Sequence, residues 1–84
     1  MDIKMIQHLN KTLYSLGVGF VYSYNYLADP PYAKIEVKDN GQGWINESTI
    51  TLTNKYINWL ENWFYDNYSI KIEFDATKTR FWEK

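Results

Sequence analysis

The stretch Thr53–Tyr68, TNKYINWLENWFYDNY, decides how this sequence folds. Tyr56, Ile57, Trp59, Leu60, Trp63 and Phe64 recur at helical spacing and form one broad apolar arc. Lys55, Asn58, Glu61, Asn62 and Asp66 fill the rest of the wheel. An arc wider than about 100° suits a helix pressed onto a sheet. Thr53 is the expected N-cap, and Asn67 the expected left-handed end. Leu60 lies near the centre of the arc, with Trp63 and Phe64 beside it as core. Trp59 and Ile57 lie at its margins, so Trp59 is the tryptophan of this helix left for an outside contact.

Upstream of that helix the sequence reads as strands. Tyr32–Lys38 alternates Ala33, Ile35 and Val37 with Tyr32, Lys34, Glu36 and Lys38, which gives one buried and one wet face. Val18–Leu27 is rich in β-branched and aromatic residues, with Val18, Phe20, Tyr22, Tyr24 and Tyr26 on the side facing the helices. Ala28-Asp29-Pro30-Pro31 joins the two as a hairpin loop, because proline lacks the ladder donor. Asp39–Gly43, DNGQG, is a turn, and a weaker third strand runs from Trp44 toward Leu52. Met1–Leu16 is a first helix, capped by Asp2, with Ile3, Ile6, Leu9, Leu13 and Leu16 on its apolar face and Gly17 at its end. Lys4, Gln7, His8, Lys11 and Ser15 form its polar face.

Downstream, Ser69–Asp75 points Ile70, Ile72 and Phe74 inward and Lys71 and Glu73 outward. Thr79–Glu83 pairs back as a short edge strand. The fold class is α+β: a small antiparallel sheet of three to five strands with two helices packed on one face, in the order α-β-β-β-α-β(-β). The 84 residues make one domain, 1–84. With no cysteine, its core rests on bulky side chains, and the 19% aromatic content supplies them. The α-β-β-β-α order resembles that of the double-stranded-RNA-binding fold. The basic run that opens that fold's second helix is missing, since TNKYINWLENWF offers only Lys55, and no family follows from the order alone.

Catalytic readings are poor. His8 is the single histidine and sits on a polar helix face, where a surface role is the ordinary one. Interleaving of Glu36 and Glu73 with Lys34, Lys38 and Lys71 suits cross-strand ion pairs better than acid–base work. Asp39–Ile50 fails as a calcium loop, with Trp44 and Ile50 where glycine and glutamate are required. Phosphate-loop, dinucleotide and zinc spacings are lacking, so neither an enzyme nor a cofactor is expected.

Binding is the expected role. A net charge of −1 argues against a dedicated duplex binder. A host protein or protein complex is the favoured partner, because interface cores are enriched in Tyr, Trp, Phe and Met, and four tryptophans with eight tyrosines exceed what two helices and a small sheet easily hide. Its candidate contacts are Tyr32, Trp44, Trp82, Arg80, Asp29 and Trp59. The alternative partner is single-stranded RNA or DNA, stacked on Tyr32 and held by Lys34, Lys38 and Lys71. A structural homodimer that hides a strand edge is a further alternative, so the chain is expected as a monomer or homodimer. No stretch has the length of a membrane span, and the lack of cysteine suits the cytoplasm. Abundant Asn, Ile, Lys and Tyr point to an A/T-rich genome. Together with small size this is the profile of a phage or mobile-element accessory protein that inhibits or modulates a host protein, for example a defence nuclease.

Overall fold

The structure, a computed structural model, describes residues 1–38, 44–45 and 52–84, with backbone alone at 37, 38, 44 and 45. In chain order the elements are α1 (Ile3–Ser15), β1 (Phe20–Asn25), β2 (Tyr32–Lys38), β3 (Trp44–Ile45), α2 (Asn54–Tyr68), β4 (Ile72–Phe74) and β5 (Arg80–Glu83). This is the expected α+β class. The DNGQG turn, the remainder of the third strand before Leu52 and the rejected calcium loop lie outside the described residues.

Both helices begin at the expected caps. Asp2 accepts from the Met5 N–H at 3.0 Å, and Thr53 accepts from the Tyr56 N–H at 3.1 Å. Each satisfies a donor that has no partner within the helix. Gly17, at φ 75°, takes the left-handed turn after α1. The end of α2 differs from expectation. Asn67 stays helical and donates through Nδ2 to the Trp63 carbonyl at 2.8 Å. The left-handed residue is Ser69, at φ 55° and ψ 35°.

Ile6, Leu9 and Leu13 from α1 meet Leu60 and Phe64 from α2 over Tyr22, Ala33, Ile35, Ile72 and Phe81 of the sheet, all of them buried. Ile57, placed at a margin of the arc, is inside the protein. Trp63, read as core, is only half-buried against it, and Ile3 and Leu16 of the α1 face are exposed. Phe81 is fully buried and lies edge-on to Tyr22 and Phe64, at ring-centroid distances of 5.0 and 5.4 Å.

The sheet is antiparallel, in the order β1-β2-β5-β4, with β3 also pairing β2. The C-terminal strand is therefore not the edge it was expected to be. It inserts between β2 and β4, and β4 takes the edge. Burial of the Phe81 ring at the centre of the aromatic core accounts for this. As a terminal edge strand, β5 would leave that ring partly wet, at a cost of about 1.5–3 kcal/mol.

Candidate functional site

Helices cover one face of the sheet, and the other face presents Ser23, Asn25, Tyr32, Lys34, Glu36, Glu73, Arg80 and Trp82. Alternation along each strand puts them there, opposite the buried Tyr22, Ala33, Ile35, Ile72 and Phe81. Register then sets the neighbours. Asn25 pairs with Tyr32, Lys34 with Ser23 and Arg80, and Glu73 with Trp82. One residue further along the β2–β5 register, Tyr32 comes opposite Trp82.

At one end of this face is a cleft of about 260 Å³ lined by Ala28, Asp29, Pro30, Tyr32, Asp75, Arg80 and Trp82. Four expected contacts, Asp29, Tyr32, Arg80 and Trp82, thus converge from two distant stretches of chain. The Arg80 guanidinium lies over the Tyr32 ring, 5.4 Å from its centroid. Such a cation–π contact contributes about 0.5–1 kcal/mol near solvent. The Tyr32 hydroxyl accepts from Asn25 Nδ2 at 3.2 Å, and Trp82 Nε1 donates to Glu73 Oε2 at 3.1 Å.

Asp75 builds the cleft's other wall. Its Oδ1 accepts from the Arg80 N–H at 3.2 Å and its Oδ2 from the Thr77 hydroxyl at 3.1 Å. The β4–β5 turn is thereby fastened beneath Arg80. The hairpin loop that carries Asp29 contains a cis Asp29–Pro30 peptide, and Leu27 N–H donates to Asn25 Oδ1 at 3.2 Å. Asp75 is not conspicuous in the sequence, and Glu73 stands out there only as an ion-pair partner for lysine, because the bonds to Trp82 and Arg80 are set by the β4–β5 register.

The other candidates lie apart. Trp59 is on the helix side, stacked on Tyr56 at 5.9 Å, beside Leu16 and Val18. Lys71, which alternation places on the wet side just before β4, also lines a separate opening between α2 and β4. For Trp44 and Lys38 only the backbone is described: they pair with each other between β3 and β2. Glu83, opposite the buried Ile72, points to the helix side and pairs with the Met1 amino group.

His8, read as a plain surface residue, has company. Its Nδ1 is 2.6 Å from the Tyr68 hydroxyl and its ring is 4.9 Å from that of Trp63. The three side chains bridge α1 and the end of α2. Within the core, burial and the neighbouring Tyr56 push the Tyr22 hydroxyl up. Burial pushes Tyr56 up to about 12, although its hydrogen bond to Tyr22 opposes this. The two hydroxyls are 3.0 Å apart.

Among the described residues, no helix is long and apolar enough to cross a membrane. No protein-family model matches the chain, and neither does any curated protein or solved structure.

Proposed function

We propose that this domain is a non-catalytic binding module that docks a protein partner at the Asp29–Tyr32–Arg80–Trp82 cleft. The carrying observation is the convergence of Trp82, Arg80 and Tyr32, the three residue types most enriched at energetic centres of interfaces, around one concavity. Asp29 at the rim adds a polar contact of opposite sign to Arg80.

The same geometry favours protein over single-stranded nucleic acid. Arg80 already lies over the Tyr32 ring, where a base would have to stack. Glu73, on Trp82, and Asp75 and Asp29, in the cleft wall, bring carboxylates close to any bound phosphate. Lys38 and Lys71 are not among the cleft-lining residues. On this reading the chain is a small accessory protein of the phage or mobile-element kind, and its partner a host protein that it inhibits or modulates.

Affinity capture from host extract with the wild-type chain, Trp82→Ala and Tyr14→Ala tests this. Tyr14 is 85% exposed and lies outside the cleft. One stoichiometric protein partner should be held by the wild type and Tyr14→Ala and lost by Trp82→Ala. Tight binding of a uridine oligonucleotide, steep in salt and lost on Lys34→Ala, would overturn the reading in favour of nucleic acid.

A further inference from the structure

The β1-β2-β5-β4 path ends in two edges, and they are finished differently. On β1, the Asn10 side chain bonds both the N–H and the carbonyl of Tyr22. On β4, the backbone groups that face β5 are those of Lys71, Glu73 and Asp75. Lys84 N–H donates to the Lys71 carbonyl at 2.9 Å and Asp75 N–H to the Arg80 carbonyl at 3.1 Å, and Glu73 pairs with Trp82 between them. Alternation turns the N–H and carbonyl of Ile72 and Phe74 outward. Among the described residues, no backbone hydrogen bond engages them, although the Ile72 residue as a whole is only 6% exposed.

The geometry points to β4 as a self-pairing edge, taking β4 of a second copy of this chain antiparallel about a two-fold axis at Ile72. Three features of the edge fit that occupant. In this register Lys71 of each chain faces Glu73 of the other, giving two cross-strand ion pairs on the wet face. On the inner face Ile72 meets its own copy and Ile70 meets Phe74, so the apolar row continues across the junction. The outward groups also match. Ile72 N–H reaches the opposing Ile72 carbonyl and Phe74 N–H the opposing Ile70 carbonyl, each twice by symmetry. The Ile70 N–H is already committed to the Phe64 carbonyl.

Adjacent registers are worse. Centring on Glu73 sets two carboxylates against each other and offers Lys71 only Asp75, whose oxygens already accept from Arg80 and Thr77. Centring on Lys71 opposes two lysines. Beside the edge, the opening of about 260 Å³ between α2 and β4 is lined by Glu61, Asn62, Tyr65, Ile70, Lys71, Ile72 and Lys84, and gives room for the partner's inner-row side chains. Pairing joins the two sheets into one, with both wet faces on the same side. The short strand makes the association weak and reversible. Asp29, Tyr32 and Arg80 take no part, and Trp82 touches the edge only through its bond to Glu73, so Lys71→Glu, which leaves the cleft residues alone, separates self-pairing from partner capture.

Sedimentation from micromolar to millimolar concentration, with amide exchange on the wild type, provides the test. A monomer–dimer equilibrium is expected, with the Ile72 and Phe74 amides gaining protection as concentration rises. Lys71→Glu and Glu73→Lys should each weaken the dimer at least about tenfold, since two attractive pairs become repulsive. Mixing the Lys71→Glu chain with the Glu73→Lys chain should restore association, because both pairs are then complementary. Circular dichroism verifies that each variant is folded. The inference is overturned by a wild type that stays monomeric throughout, by a dimer indifferent to both substitutions, or by protection that appears at Phe20 and Tyr24 instead.

Discussion

Asn10 closes the edge of β1 at Tyr22. Its Nδ2 donates to the Tyr22 carbonyl and its Oδ1 accepts from the Tyr22 N–H, both at 2.8 Å. A helix side chain thus makes the two bonds that a neighbouring strand residue would make. Exposed edges invite pairing with other chains, and this amide occupies the middle of one.

Replacing Asn10 by Ala should cost about 1–3 kcal/mol, since it leaves two partly buried backbone groups unpaired. It should also raise concentration-dependent scattering, as β1 becomes available for pairing. Asn10→Asp keeps the acceptor and loses the donor, so its stability should fall between the two. Urea denaturation with light scattering measures both effects.

The buried Tyr22–Tyr56 pair makes stability sensitive to alkali. Both hydroxyls hold their protons more tightly in the folded state than the ordinary value of 10.0 in an unfolded chain. Above that value the unfolded state has released protons that the folded state retains, so unfolding is favoured as pH rises. Stability should be flat to about pH 9, then fall between about pH 10 and 12 by up to about 1.4 kcal/mol per pH unit for each tyrosine. Urea denaturation at several alkaline pH values reads this directly. Tyr56→Phe should be less stable at neutral pH and should fall less steeply above about pH 10.

Phe81 and Trp82 are adjacent in sequence and opposite in role. Phe81→Ala should cost about 3–5 kcal/mol, because it empties the centre of the aromatic core. Trp82→Ala removes a half-buried ring with one hydrogen bond and should cost about 1–2 kcal/mol, while abolishing partner capture. Thermal denaturation alongside capture separates the two effects. Equal destabilisation by both substitutions would contradict the placement of Trp82 on the open face.

Left-handed backbone offers a stabilising change and its converse. Ser69 carries a side chain at φ 55°, so Ser69→Gly should stabilise by up to about 1 kcal/mol. Gly17 sits at φ 75° with open space where a Cβ would project, so Gly17→Ala should cost about 1 kcal/mol from backbone strain alone. Chemical denaturation of the two variants provides the comparison.

Local chemistry alone determined the helices, their N-caps, the β1–β2 hairpin and the α+β class. Helical spacing in TNKYINWLENWFYDNY and alternation in YAKIEVK report a buried face wherever the chain later packs. The individual cleft residues stood out one by one: Tyr32 by its place on a wet strand face, Asp29 by its loop, and Arg80 and Trp82 by their place in a short strand expected at the sheet edge. Tertiary structure decided the rest. Insertion of β5 between β2 and β4 is a pairing across roughly half the chain, and no local pattern encodes its register. That register brings Arg80 over Tyr32, Glu73 to Trp82 and Phe81 into the core. It also decides which edge Asn10 must close and which edge stays open. Strand order follows the best burial of large rings available to the whole chain, which is a property of the packed state and is absent from any single segment.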